Sequence, residues 1–263
     1  MASDTKNSRT EMALTFIVHL CREMLENGAN LERINISVRR ICRCYHLKES
    51  SVFYGGSVIS IGITDEKGNY YVRQESVPYT GIHLCKLAKL NLLVHDIINK
   101  KPPVDTLMDM LYEALMVTSY SNIVQLLGYI LAMISLGRIF GGTWTDLLVI
   151  GLNTVVLYFM TMIFSRGKLN RIISNVIAMF FCGLSAILFA RVGIVRNISA
   201  IIITNAFYLI PGIPMVNAVR NIFCGNEMNG IIEMVKVLLE VVTIVSGLYI
   251  ASLLLGAEAV VLF

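Results

Sequence analysis

The chain has 263 residues, 56% of them hydrophobic and 15% charged, with a mean hydropathy of +0.68 and a formal net charge of +4. Ordinary soluble domains carry roughly a quarter charged residues, so the composition points to a membrane protein. A net charge this small and this dispersed excludes an obvious nucleic-acid surface.

The charge is unevenly placed. Residues 1–118 hold 14 Lys/Arg and 13 Asp/Glu, whereas residues 119–263 hold 8 and 5 over a longer span. Two domains follow: a small α+β domain over 1–118 and a transmembrane domain over 119–263. Met1 to Arg9 is polar, and the stretch from Met12 to Met24 is interrupted by His19, Cys21, Arg22 and Glu23, so no signal peptide is expected and the first domain should be cytoplasmic.

In the first domain, Met12, Leu14, Phe16, Ile17, Leu20, Met24 and Leu25 fall on one face of a helix over about 9–27, which Gly28 stops. A second helix over about 30–45 carries Leu31, Ile34, Val38 and Ile41 on a stripe, with Arg33, Arg39, Arg40 and Arg43 largely off it and facing water or headgroups. Val58–Thr64 alternates Ile59, Ile61 and Ile63 with smaller or polar residues, and a Gly-containing turn separates it from Tyr70–Val77, which predicts a hairpin. Helices over about 82–99 and 104–118 follow, divided by Pro102-Pro103.

Roughly 20 apolar residues are needed per crossing. The second domain then divides into an all-α bundle of five spans, over about 120–140, 144–164, 172–190, 197–216 and 233–255. Gly141-Gly142 makes a tight turn between the first two. Ser165–Arg171 places three basic residues in one short loop, a cytoplasmic mark under the positive-inside rule. Counting crossings puts the amino terminus and the Asn217–Asn229 loop inside and the carboxyl terminus outside, while Arg191 and Arg196, on the outer side, run against the rule.

Within the fourth span, Pro211, Gly212 and Pro214 stand within four positions, a combination that a regular helix cannot absorb without losing backbone hydrogen bonds. In hydrocarbon such a break is tolerated where the freed groups are covered by protein or line a polar cavity, as in transporter substrate sites. Pro211 is expected to end one half-helix and Pro214 to begin the next, with Asn217, Arg220 and Asn221 following at helical spacing. A restarting helix offers free N–H groups and a positive dipole end, and Arg220 adds a fixed charge, an environment that suits a carboxylate. The alternative is a kink that only fixes packing, with Arg220 snorkelling to the surface.

Other polar residues at membrane depth are informative because they are costly there. Glu240, two turns into the fifth span, reads either as an interfacial ion pair with Lys236 or as a proton-responsive coupling carboxylate. Asp146 and Arg138 flank the first hairpin and are expected to be exposed at the interface. Asn153, Asn175 and Asn205 read either as interhelical hydrogen-bonding groups or as the lining of a polar path. The six cysteines fall in cytoplasmic or membrane positions, so reduced thiols are expected. Cys42, Cys44 and His46 resemble a short metal cluster, but residue 44 points away from the other two on a helix, and no metal or cofactor is expected. Hydrolase and phosphate-loop motifs are missing, so neither an enzyme nor an ATP-driven pump is expected.

Gly28-Ala29 followed by Arg33, the Leu84–Leu92 helix after a hairpin, five spans, the Phe140-Gly-Gly-x-Trp144 turn and above all Pro211-Gly-Ile-Pro-x-x-Asn-Ala-x-Arg220 together resemble the threonine/serine exporter family over nearly the whole chain. The proline-glycine segment is the most specific part. Some members of the family have a second membrane half, whereas others stop after five spans and work with a small separate membrane subunit. The chain resembles the larger subunit of that two-component form. The resemblance implies a secondary transporter in the bacterial inner membrane that exports threonine and serine or a dicarboxylate such as succinate, with a partner of four or five spans. From the physical reading of the matching segment, the expected substrate-binding residues are Pro211, Gly212, Pro214, Asn217, Arg220 and Asn205, with Glu240 as a coupling residue. A different class, a regulatory or scaffold membrane protein whose cytoplasmic domain senses or docks a partner, is the alternative.

Overall fold

The computed structural model describes residues 2–55, 57–77, 82–117, 120–167 and 169–256. Lys168 of the basic loop, the expected domain boundary at 118–119 and the carboxyl-terminal Phe263 lie outside the described residues. The chain falls into two compact units, one formed by Met1–Ser119 with Ile213–Glu233 and the other by Tyr120–Gly212 with Met234–Phe263. The segment after the proline-glycine break, read from the sequence as the end of the fourth span and the inner loop that follows it, belongs with the amino-terminal unit.

The first unit is built on α1 (Ala2–Glu26), α2 (Leu31–Cys44), a sheet of β1 (Lys48–Gly55), β2 (Val58–Thr64) and β3 (Tyr70–Ser76), and then α3 (Leu84–Lys100) and α4 (Leu107–Leu115). Its sheet is an antiparallel meander in the order β1-β2-β3, with Val52 opposite Ile61 and Ile61 opposite Arg73. The predicted hairpin is thus part of a three-stranded sheet. β1 lacks the alternating apolar pattern that marks β2, having Val52, Phe53 and Tyr54 consecutively at its end, and period-2 reading misses it. Ile59, Ile61 and Ile63 are fully buried and join Phe16, Ile17, Leu20 and Met24 of α1 in one core. The α2 stripe of Leu31, Ile34, Val38 and Ile41 is buried there too, while Arg33, Arg39, Arg40 and Arg43 are exposed. Asn30 caps α2 by accepting from Arg33 N at 2.9 Å, after Gly28 turns the chain at φ +94°. α1 starts at Ala2, well before the predicted start near residue 9.

The second unit contains α5 (Asn122–Ile139), α6 (Trp144–Arg166), α7 (Arg171–Arg191), α8 (Ile198–Leu209) and most of α10 (Glu227–Leu254). α5, α6, α7 and α10 are each long and apolar enough to cross a membrane. A fifth span results if α8 and α9 (Gly212–Phe223), which are bent at the break between them, are counted as one. The fifth predicted span starts six residues late, because Glu227 and Glu233 in its first turns hide the helix from a hydropathy reading.

Two close approaches set the packing of α7 against α10. A Cβ on Gly247 would overlap the Val176 carbonyl oxygen and would lie 3.1 Å from Phe180 N, so backbone meets backbone there. A Cβ on Gly183 would meet Leu248 Cδ1 at 2.9 Å and Ala251 Cβ at 3.1 Å. Small residues allow this approach where no hydrophobic force drives helices together.

Asp146 differs from its expectation. It is fully buried, not exposed at the interface. It closes a capping box at the start of α6: its Oδ2 accepts from Thr143 N at 2.8 Å and from Thr143 Oγ1 at 2.7 Å. Its Oδ1 accepts from Arg196 N at 2.9 Å, and Oδ2 from Asn197 N at 3.3 Å, so one carboxylate ties the α5–α6 turn to the α7–α8 loop. Saturation by backbone donors is what makes a buried carboxylate tolerable. Arg138 stays exposed, with Nη1 donating to Gly142 O at 3.0 Å and its guanidinium 5.9 Å from the Trp144 ring centre.

Candidate functional site

The break at Pro211 has a local cause. Proline cannot donate, and it drives the preceding residue out of the helical region. Ile210 accordingly has φ −62° and ψ 127° and ends α8 after Leu209. The helix restarts at Gly212, two residues earlier than expected, which leaves Pro214 in the first turn, where its missing N–H costs nothing.

Beyond the break, the two expected solute ligands already have protein partners. Arg220 grips Glu32 of α2 through Nε at 2.8 Å and Nη2 at 2.7 Å, both to Oε2. Asn217 Nδ2 donates to Gly28 O at 3.3 Å. Both contacts land on the turn and first residues of α2, so α9 is seated on the amino-terminal unit by the residues that were expected to hold a carboxylate. Asn221 is buried and donates to Glu233 Oε2 at 3.0 Å, and Gly230 lets α10 start close against Ala218 and Ile222.

Before the break the situation is reversed. Asn205 is 1% exposed in α8, and neither its Oδ1 nor its Nδ2 has a hydrogen-bond partner among the described residues. An unsatisfied buried polar group costs about 1–3 kcal/mol. Asn205 belongs to a polar layer across three mutually packed helices. On α6, Asn153 and Thr154 lie between Leu147–Ile150 and Leu157; on α7, Ser185 lies between Cys182 and Ala186; on α8, Thr204 and Asn205 lie between Ile201 and Leu209. One apolar cluster packs on each side of this layer. Thr154 and Thr204 are fully buried and turn their hydroxyls back onto Ile150 O and Ala200 O.

Within the layer Ser185 Oγ donates to Asn153 Oδ1 at 2.6 Å, one of the two roles read for Asn153, while Asn153 Nδ2 has no partner among the described residues. That amide lies on a cavity of about 450 Å³ between α6 and α7, lined otherwise mostly by apolar side chains such as Val156 and Phe181. Asn175, nearer the start of α7, also has an unpartnered Nδ2. A layer of neutral amides and hydroxyls about halfway along α6 can hydrogen-bond a polar solute at membrane depth without fixing a charge there.

Glu240, read either as a partner of Lys236 or as a coupling carboxylate, meets a residue of another helix. Its Oε2 lies 3.1 Å from Arg171 Nε, close enough for an ion pair though not aligned as a hydrogen bond. The carboxylate is 18% exposed and the arginine 54%. Helical spacing pointed to Lys236, and only the packing of α7 on α10 brings Arg171 to it.

A second polar concavity, missed in the sequence, lies where the start of α5 meets the ends of α6 and α8, next to the break. Its walls carry Tyr129, Tyr158 and Tyr208, with ring centres 5.2 Å apart for Tyr129 and Tyr208 and 6.0 Å for Tyr129 and Tyr158. Three tyrosines scattered over 80 residues leave no motif; only the helical register of Tyr158 with Thr154 and of Tyr208 with Thr204, four residues earlier, could have drawn attention.

Among the described residues no group of three or more His, Cys, Asp or Glu is placed to hold a metal ion. Cys42 is buried and His46 exposed. Burial, and then the neighbouring Cys42, push the Cys21 thiol up.

No curated protein and no solved structure matches the chain. Residues 15–255 match the family described as "Putative threonine/serine exporter" (ThrE), so the match takes in the amino-terminal unit, the polar layer and the proline break alike. With four to five apolar helices of membrane length, this is a multi-pass membrane protein of a transporter family. The chain belongs to the threonine/serine exporter family.

Proposed function

We propose that the chain is the larger subunit of a two-component secondary transporter that exports a small carboxylate-bearing metabolite, threonine and serine or a dicarboxylate such as succinate, across the bacterial inner membrane. The observation that carries this reading is Asn205: a fully buried amide with no hydrogen-bond partner among the described residues, in a polar layer midway along the spans. An amide in that position raises the energy of the bundle unless a polar solute or water completes it.

The remaining parts take roles around that layer. The break at Pro211 and Gly212 ends the polar helix face and gives the chain a hinge from which α9 leaves. Asn217 and Arg220 position α9 through Gly28 and Glu32 and act on the solute through that placement. Glu240 with Arg171 is the coupling element: protonating the carboxylate removes its attraction for the arginine, which lets an ion gradient bias the packing of α7 on α10. α5 packs on α6 and α8 with Gly137 as its one buried residue, and offers its outer face to lipid or to a small partner subunit of four or five spans.

The test is export of L-threonine, L-serine and succinate from cells that lack their own exporters and express this chain with and without a small four- or five-span membrane protein encoded beside it. Export of at least one of the three, requiring both chains and abolished by an uncoupler, is the expected result. Loss of all three activities with both chains present in the membrane would reject the reading, and full export by the chain alone would reject the two-component part.

A further inference from the structure

The concavity beside the break has a chemistry of its own. It measures about 320 Å³, at the lower end of small-molecule sites. Eight residues line it, and the charged one among them is Arg166, which forms no ion pair with a described residue. Around it stand the Tyr208 hydroxyl, 3.4 Å from Thr161 Oγ1, and the Tyr158 hydroxyl, which donates to Asn122 O at 3.1 Å. Gln125 donates its own amide to Tyr120 O at 2.7 Å and leaves its side-chain oxygen as an acceptor. A cation, several hydroxyls that both donate and accept, and an amide oxygen are the complement of a carboxylate attached to a small polar body.

Its position gives it a use. Tyr158 follows Thr154 by four residues on α6, and Tyr208 follows Thr204 by four on α8, so both tyrosines continue the helix faces that carry the polar layer. Four residues of helix rise about 6 Å. The concavity and the layer are therefore successive stations on one polar stripe, separated by a single turn.

We propose that the site formed by Gln125, Tyr129, Tyr158, Thr161, Arg166 and Tyr208 is a loading site that takes the carboxylate of a small solute on Arg166 and its polar remainder on the tyrosine hydroxyls, before the solute passes to the layer around Asn205. The proposal rests on the transport reading for its direction but not for its chemistry, which Arg166 and the tyrosines define by themselves. An anionic lipid headgroup also offers Arg166 a negatively charged oxygen, so the test separates the two.

Protection of Tyr208 and Tyr129 from nitration by tetranitromethane, read by mass spectrometry on the full-length protein in neutral-lipid nanodiscs, reports occupancy without any transport. L-Threonine, L-serine and succinate are the probes, L-threoninamide is the control without a carboxylate, and nanodiscs containing phosphatidylglycerol form the lipid arm. Protection by at least one carboxylate but not by the amide, with the half-protecting concentration raised at least tenfold in Arg166→Gln and largely restored in Arg166→Lys, is the expected result. Tyr158→Phe and Thr161→Val should each weaken protection by a smaller factor, which covers the case that Arg166→Gln does not fold. Equal protection by L-threoninamide, no protection by any carboxylate, or protection by phosphatidylglycerol alone would each overturn the proposal. Protection in a protein that exports none of the three would sink the transport reading and leave the site standing, whereas export without protection would do the reverse.

Discussion

Arg220 shows how a single residue changes meaning when its partner is known. In the sequence it is a cation nearly two turns past the expected helix restart at Pro214, and a carboxylate solute is the natural guess. In the folded unit its guanidinium already holds Glu32, 188 positions away in the chain. The side chains are 50% and 35% exposed, so the pair contributes about 0.2–1 kcal/mol to stability and its value lies in placing α9. Arg220→Gln should then reduce export with little loss of thermal stability, and the exchange Arg220→Glu with Glu32→Arg should recover a large part of it. A substrate-contacting arginine would not be rescued by the exchange, so failure of the double variant in an export assay would return Arg220 to the solute. The same distance effect hid Arg171 behind Glu240 and the backbone donors of residues 196 and 197 behind Asp146, because tertiary partners of a charge leave no local trace. What was legible at this scale was local: the end of α8 at Pro211, the Gly28 stop of α1 and the buried isoleucines of β2 all depend on neighbours within a few residues.

At the scale of the element, α7 and α10 are held by glycines whose two environments differ in kind. The neighbour of Gly247 is the α7 backbone, which cannot move aside, while that of Gly183 is the tip of Leu248, which can. Gly247→Ala should destabilise the protein by about 1–3 kcal/mol, and Gly183→Ala by less, in thermal unfolding followed in detergent. Equal effects at the two positions would contradict this packing. In the β2–β3 turn, burial of the Asp65 carboxyl works to raise its pKa, and donors from Asn69, Lys67 and Gly68 outweigh it, leaving the pKa lowered. A depressed folded pKa contributes stability above the unfolded carboxyl range and loses it as pH falls through the folded value. Asp65→Asn should therefore lower stability at neutral pH and have little effect below that folded value; an identical deficit at both pH values would show that the turn does not sense the charge. Helix periodicity and turn signals made most elements readable. The elements that escaped were those with mixed signals: β1 with its consecutive apolar residues, and the first turns of α10 with their glutamates.

For the whole molecule, the sequence showed a charged half followed by an apolar half, and the structure adds that the chain returns to the first unit over Ile213–Glu233 before its last helix. Composition could not show that return, because the polar residues of the segment read as a loop between two spans and its assignment depends on contacts such as Asn217 with Gly28. The orientation expected from loop charge has a direct test: single cysteines at Ser165 or Asn226 of a cysteine-free protein should be shielded from an impermeant thiol reagent in intact cells, and one at Thr143 should react. Labelling of Ser165 from outside would invert the molecule. The central claim is that the polar layer holds the solute, and Asn205→Leu tests it most directly because structure and function pull in opposite directions there. Removing two unsatisfied polar atoms from an apolar bundle should leave thermal stability unchanged or raise it by about 1–2 kcal/mol. Solute counterflow in proteoliposomes, with radiolabelled threonine, serine and succinate and with the partner subunit present, is the measurement. Counterflow of at least one solute by the unmodified protein, with a loss of at least tenfold in the equally or more stable Asn205→Leu variant, is the result this account requires; unchanged counterflow in that variant would contradict it.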